Sequence, residues 1–373
     1  MNKKIAIVII TYNAQDYLPD LFDSLLKQTY PKDLTEIIII DNASRDETVE
    51  CIRKFKIQNE IKHCSEMKSK DLKPTIRNLE FSFLDVKLIE NKENLGFAKG
   101  NNIGIKEALK TCPDYLVFLN QDMVVESGWL EKLVEEVEID ERTAVVQPMI
   151  LLWDEKDKIQ TSGNKIHYLG FGYSGDYRES LISCQFSVIS YASGAAALVK
   201  REVLEKIEGF DGDLWVYHED LDLGWYIRLL GYEIKRARQS IVYHKYSFTK
   251  EKSKYYFMER NRLIVLLKYY KTKTLILIFP TFLFMEISLW IFALVKGWVR
   301  EKLKSYKDFL VELKYTLVKR NQIQKLRKVG DKEVIKYFVG KIEFEDIDNF
   351  FLKYIVNPIL DFYWRIIKKI IVW

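Results

Sequence analysis

An apolar run that stops abruptly at polar side chains recurs three times early in this chain, and that pattern restricts the fold more than any other. Ile5 to Ile10 ends at Thr11-Tyr12-Asn13, Glu36 to Ile40 ends at Asp41-Asn42-Ala43-Ser44, and Tyr115 to Leu119 ends at Asn120-Gln121-Asp122. Runs rich in β-branched and aromatic residues, without polar alternation, are strands buried on both faces. Two of them lead straight into helical spacing, Leu18, Leu21, Phe22, Leu25 and Leu26 after the first and Asp46 to Phe55 after the second. Repeated strand–helix units of this kind specify an α/β fold with a mainly parallel sheet, whose ligands lie beyond the carboxyl ends of the strands. Thr11 to Asn13, Asp41 and Asp122 are therefore expected along one edge. The plain alternative for each acid is a loop or a helix cap.

Val86 to Glu90 reads as a further strand, leading to Gly96, Gly100 and Gly104 among asparagines at the entry to a helix. Such an entry allows close backbone approach, and its amides can face an anion. Residues 57 to 85 show no sustained period and are read as an insertion or helix–loop excursion. Further on, Tyr191 to Val199 is a Gly/Ala-rich apolar run whose small side chains leave open space. His218-Glu219-Asp220 opens a helix, Leu221 to Leu230, that stops at Gly231. Glu219, Asp220 and Asp222 could all serve only the helix dipole.

Six segments in order carry a family resemblance: TYN (Thr11 to Asn13), SLLKQTYP (Ser24 to Pro31), IDNASRDET (Ile40 to Thr48), NLGFAKGNNIGI (Asn94 to Ile105), FLNQD (Phe118 to Asp122) and YHEDLDLGWYIRLLGY (Tyr217 to Tyr232). Over roughly residues 4 to 265 the chain resembles family-2 glycosyltransferases, most of all their rhamnosyltransferase-like branch. The resemblance implies a GT-A fold, a nucleotide-diphosphate sugar donor, a divalent metal (Mg²⁺ or Mn²⁺) and inversion at the anomeric carbon. It puts Thr11, Tyr12 and Asn13 around the base, and Asp41 with Asn42 on base or ribose. Gly96 and Asn101 fall near ribose or diphosphate, with Asn120 and Gln121 completing the donor set. Asp122 is the metal carboxylate of a DxD motif whose first Asp is replaced here by Asn120, and His244 matches the family's downstream metal histidine. Asp220, beside Glu219, takes the general-base role. Arg260, in Arg260-Asn261-Arg262, is expected either on the diphosphate or on surface acids.

Charge divides the chain at about residue 244. The first part carries 31 Lys+Arg against 40 Asp+Glu, a net of about −9, and the remainder about +14. That division suggests a catalytic domain over 1–268 and a helical, membrane-associating region over 269–373. A basic tail interleaved with long apolar runs suits an anionic membrane surface better than a nucleic acid. Leu275 to Val295 spans about 31 Å as a helix, near the roughly 30 Å of a bilayer core. Its Glu286 and Pro280 and the basic sequence beyond it argue against a simple span. In Tyr354 to Trp373, Asp361, Arg365, Lys368 and Lys369 form one helical face opposite Ile355, Ile359, Phe362, Ile366, Ile370 and Trp373. The expectation is a monotopic protein on the cytoplasmic face, held by a kinked or re-entrant segment and an interfacial helix. The alternative is that Leu275 to Val295 packs on the catalytic core or on a second copy.

Cys51, Cys64, Cys112 and Cys184 have no metal or disulfide spacing and suit a reducing compartment. The apolar start is too short for the core of an export signal and reads as a strand. Taken together, these features point to sugar transfer onto a lipid-linked or polysaccharide acceptor. A nucleotidyltransferase would share Asp122 and the glycines but not the His218 to Asp220 helix, and an inactive membrane-bound scaffold is the reading that Asn120 leaves open.

Overall fold

The computed structural model describes residues 3–70, 84–245, 252–344 and 350–373. The first part alternates strands and helices: β1 (Ile5–Thr11), α1 (Leu18–Leu26), β2 (Thr35–Asp41), α2 (Thr48–Lys70), β3 (Asp85–Glu90), α3 (Gly96–Ala108), β4 (Tyr115–Asn120), β5 (Met123–Val125) and α4 (Trp129–Glu138). Then come β6 (Thr143–Leu152), β7 (Ile159–Thr161), β8 (Asn164–His167), β9 (Gly172–Ser174), β10 (Ala196–Lys200), α5 (Arg201–Ile207), α6 (Glu219–Leu229) and β11 (Glu233–His244). The C-terminal part holds α7 (Ser253–Tyr269), α8 (Thr272–Lys296), α9 (Val299–Leu326), α10 (Asp331–Val334), β12 (Phe338–Val339) and α11 (Asn357–Ile370). The excursion expected over 57–85 is in part a continuation of α2 to Lys70, and its residues 71–83 lie outside those described.

The main sheet runs β3-β2-β1-β4-β10-β6-β11-β5, with β7 on β6. Its first four strands are parallel, and the register pairs Thr11 with Asp41 and Ile10 with Asn120, so the polar strand ends share one edge. β10 enters antiparallel to β4, which makes the sheet mixed. Side chains of β1 alternate: Ile5, Ile7 and Ile9 join a core with α1, α2 and α4, while Ala6 and Val8 join one with α3, α5 and α6. The result is three layers, as strands buried on both faces require. Close approach on the second face depends on Gly104, where a Cβ would lie 2.3 Å from Val8 Cγ1.

A third cluster belongs to both parts of the chain. Tyr168, Trp225 and Leu229 from the first part pack with Ile264, Val265, Leu360 and Trp364 from the second. Tyr168 and Trp364 stack with centroids 4.6 Å apart, and β12 adds a parallel strand beside β8. The helical region is therefore fused to the catalytic one through shared packing.

α11 departs from the two-faced helix expected. Leu360, Trp364 and Ile367 are buried in the protein, while Ile355, Ile359, Phe362, Ile366 and Ile370 are exposed. The helix has a protein face, an apolar solvent face and a polar edge. Trp373 is half-buried, its indole N–H donating to Thr274 Oγ1 at 2.9 Å.

Candidate active site

At the β1 and β2 ends, Asp41 is buried and already well supplied with donors. Its Oδ1 accepts from Thr11 Oγ1 at 3.0 Å and from Ser44 Oγ at 2.5 Å, and its Oδ2 from the Ser44 amide at 2.9 Å. Asn13, at φ 50°, donates its amide to Ser44 Oγ and accepts the Arg45 amide on its side chain. The two strand-end loops thus hold each other open as a polar cradle, with Tyr12 exposed at its rim. Asn42 ties this cradle to the next turn, donating to the Gly96 carbonyl at 3.1 Å and accepting from Asn91 at 2.9 Å. Ser44 had no distinct signal in the sequence, because its contribution depends on where Asp41 turns the loop.

The entry to α3 differs from the anion-binding helix start expected. Phe97 and Ala98 donate their amides to the Trp215 carbonyl, at 2.9 and 3.2 Å, so these amides are occupied by the chain itself. Gly96, at φ 77°, lies directly beneath the Trp215 indole: a Cβ there would be 2.3 Å from the ring. Asn101 is buried and donates to the Phe97 carbonyl within its own helix. Trp215 was not singled out in the sequence; an aromatic side chain four residues before Glu219 was its one available signal.

The Asn120-Gln121-Asp122 corner splits into three functions. The Asn120 amide donates to the Ala195 carbonyl at 2.9 Å. Gln121 is a strut, its Oε1 accepting from the Tyr12 amide at 2.7 Å and its Nε2 donating to the Tyr12 carbonyl at 3.3 Å. Asp122 meets His244, Oδ2 to Nε2, at 3.2 Å. The pairing of β5 with β11 brings them together, His244 lying opposite Met123 and Lys245 donating its amide to the Asp122 carbonyl. Asp122 Oδ1 is buried with no hydrogen-bond partner. A carboxylate oxygen left orphaned beside an imidazole fits a divalent cation, which takes oxygen and nitrogen donors. No group of three His, Cys, Asp or Glu suited to a metal occurs among the described residues, so the remaining donors would come from a ligand.

Asp220 stands at the start of α6. Its Oδ2 accepts from the Gly194 amide at 3.2 Å and its Oδ1 from the Leu221 amide at 2.8 Å. Gly194 adjoins Ala195, the partner of Asn120, so one short segment connects the end of β4 to the acid. Burial raises the Asp220 pKa from 3.8 to about 6, against the lowering by those amides. Burial also drives Glu219 well above the carboxylate range, with the neighbouring Asp220 charge adding to it, and Glu219 Oε2 has no hydrogen-bond partner. Burial thus favours the protonated form of Glu219 and brings Asp220 up to about 6. Asp222 points elsewhere, to Lys268 at 2.5 Å.

Arg260 is committed to protein. Its guanidinium pairs with Glu312 of α9 at 2.6 Å and donates to the Asp213 carbonyl at 2.9 Å. Neighbouring Asn261, fully buried, directs its amide at the carbonyls of Leu214, Val216 and Tyr217, at 2.9, 3.1 and 2.7 Å. Lys268 and Lys319 hold Asp211, keeping its carboxyl far below the usual range despite burial. These contacts brace residues 211–217, where Trp215, Tyr217 and the following His218 take left-handed φ of 61°, 62° and 68°. Arg260 and Asn261 clamp the loop that precedes Asp220, while Arg262 turns to Glu259 and Glu286.

Comparison with known proteins is consistent with this architecture. Poly-beta-1,6-N-acetyl-D-glucosamine synthase of Staphylococcus epidermidis is 26% identical over 247 residues, 64% of this chain and 49% of that protein. The synthase of Staphylococcus aureus strain MSSA476 is 28% identical over 239 residues, 62% and 47% respectively. The chain spans about half the length of these curated relatives. Among solved structures, GalNAc-T7 with UDP, GalNAc and Mn²⁺ superposes with TM-score 0.56 at 17% identity, covering 84% of this chain and 57% of that one. S. aureus TarS gives TM-score 0.51 at 16% identity, covering 98% and 53%. At such identities the superpositions speak for the fold alone. The sequence model of "Glycosyl transferase family 2" matches residues 6–208, more than half of the chain, which therefore belongs to that family of glycosyltransferases.

Proposed function

We propose that this chain is an inverting glycosyltransferase that moves a sugar from a nucleotide-diphosphate donor to a hydroxyl of a lipid-linked or polysaccharide acceptor. The observation that carries this reading is the 193–195 segment. It bonds the end of β4 at Asn120, two residues before Asp122, and the Asp220 carboxylate, which supports donor activation and acceptor deprotonation at one strand end.

The cradle of Thr11, Tyr12, Asn13, Asp41 and Asn42 receives the nucleoside, with Gly96 and Asn120 toward the ribose and diphosphate. Asp122 and His244 would hold Mg²⁺ or Mn²⁺, which supplies Lewis-acid stabilisation of the departing diphosphate. Ionised Asp220 accepts the proton of the acceptor hydroxyl as its oxygen bonds to the anomeric carbon. The bond from that carbon to the diphosphate oxygen breaks on the opposite face, and the electron pair leaves with the nucleoside diphosphate. Burial and the Asp220 charge both favour the proton on neighbouring Glu219.

Attachment at the cytoplasmic face of a membrane would bring the site to a lipid-linked acceptor. The curated relatives, N-acetylglucosamine polymer synthases, add that sugar to rhamnose as donors to test. The test is a panel of UDP-, GDP- and dTDP-sugars with each metal, read by release of nucleoside diphosphate. Release with one donor supports the reading; release of pyrophosphate would instead mark a nucleotidyltransferase, and no release with any donor and acceptor an inactive scaffold.

A further inference from the structure

We propose that the chain docks on an anionic bilayer with α8 and α11 lying in the plane of one leaflet, and that a basic cavity at the start of α8 receives a lipid phosphate. The proposal rests on the membrane-associated reading above and adds the binding mode and the headgroup.

α8 is long and apolar enough to cross a bilayer, yet one of its faces belongs to the protein. Thr274, Ile278, Thr281, Met285 and Ala293 are buried. Glu286 on the same helix is buried among charges: it pairs with Arg262, accepts from Tyr306, and lies 3.2 Å from Lys302. Lys302 also reaches Glu259 at 2.7 Å, and Arg262 and Lys302 are completely buried. A transverse α8 would carry this network into hydrocarbon or break it, and either is costly.

The opposite face is a stripe at helical spacing, with Ile276, Phe279, Leu283, Ile287, Ile291 and Leu294 all exposed. α11 lies beside it, Tyr363 Oη donating to the Leu277 carbonyl at 2.7 Å. Its own exposed stripe is Ile359, Phe362, Ile366 and Ile370. Two neighbouring apolar stripes on helices whose other faces are buried are shaped to enter the outer part of a leaflet.

Where α8 begins, Lys271, Thr272, Lys273, Arg320, Gln324 and Trp373 line a cavity of about 440 Å³. Arg320 donates to two neutral acceptors, the Leu267 carbonyl and Thr272 Oγ1. Asp331 nearby attracts Arg320 but is already bonded to Arg327, Thr274 and the Lys271 amide, so one shared acid faces several cations. Lys273 lies over the Trp373 ring at 5.5 Å, and Ile276 opens the apolar stripe one turn further along. Cations adjoining hydrocarbon-binding side chains complement an anionic phospholipid, phosphate first and acyl chain next. They match a second copy of this net-basic region poorly.

The experiment is flotation of the full chain on phosphatidylcholine vesicles with and without phosphatidylglycerol. Partitioning is expected to favour the anionic vesicles at least about tenfold and to weaken with salt. L283D should abolish binding to both. K273E should remove most of the anionic preference, since each such charge is worth about fivefold near the surface. R320Q gives an independent second variant, and thermal unfolding reports whether each variant is folded. Alkaline carbonate should release the bound chain. Equal binding to both vesicles, insensitivity to K273E and R320Q, resistance to carbonate, or a soluble dimer shielding Leu283 would each overturn the proposal. Diphosphate release onto a soluble acceptor without vesicles tests the transferase reading separately.

Discussion

Asp122 and His244 lie 3.2 Å apart, carboxylate Oδ2 to imidazole Nε2, because β5 and β11 pair at the edge of the sheet. The second carboxylate oxygen is buried and without a partner. D122N keeps the shape but removes the one negative charge that the Asp122–His244 pair offers a cation. It should lower metal-dependent kcat/KM by roughly 10² or more, the scale of losing one transition-state electrostatic contact. Calorimetry of nucleoside diphosphate with and without Mn²⁺ checks it: wild type should show a metal-dependent gain that D122N lacks.

Replacing Asp220 by Asn removes the proposed base and keeps one of its two amide contacts, since a carboxamide has a single acceptor oxygen. Transfer should fall by about 10²- to 10⁴-fold, with nucleotide affinity nearly unchanged. Wild-type kcat/KM should rise with pH through about 6, as Asp220 loses its proton. A profile flat between pH 5 and 7 would count against the assignment.

The same group links pH to stability. Its folded pKa is raised from 3.8 to about 6, so the folded state holds the extra proton in that window and stability falls as pH rises through it. The melting temperature of D220N relative to wild type should therefore be higher at pH 7.5 than at pH 4. Differential scanning calorimetry at the two pH values tests the sign.

Gly96 combines a left-handed φ with an indole directly above it. G96A should cost about 1–3 kcal/mol in a denaturant titration, through strain and displacement of Trp215. In a W215A background part of that cost should vanish, a non-additivity expected of residues in contact.

Asn261 restrains three loop carbonyls from a fully buried position. N261L leaves those carbonyls unpaired, which should cost about 1–3 kcal/mol. Because the loop leads to Asp220, kcat should fall more than donor affinity. Steady-state kinetics with varied donor separates the two effects.

Much of the catalytic core is legible in the chain itself. The apolar runs of β1, β2 and β4 announce doubly buried strands, and parallel register then obliges Thr11, Asp41 and Asn120 to share an edge. What periodicity cannot tell is which partner a polar group takes. Arg260 had two possible destinations in the sequence and found Glu312 on a helix about fifty residues away. The α3 amides, offered to an anion by local geometry, were taken by the Trp215 carbonyl.

The C-terminal region shows the same division. Hydropathy and charge identified apolar α8, basic surroundings and an amphipathic α11, since those are properties of side chains alone. Only tertiary packing decided that Glu286 belongs to a buried ionic network and that Leu360, Trp364 and Ile367 belong to the core. The physical reason is that local sequence sets which faces of an element are apolar or charged. Whether a face meets protein, lipid or ligand depends on desolvation and pairing with residues far away in the chain, and these arise only when the chain folds.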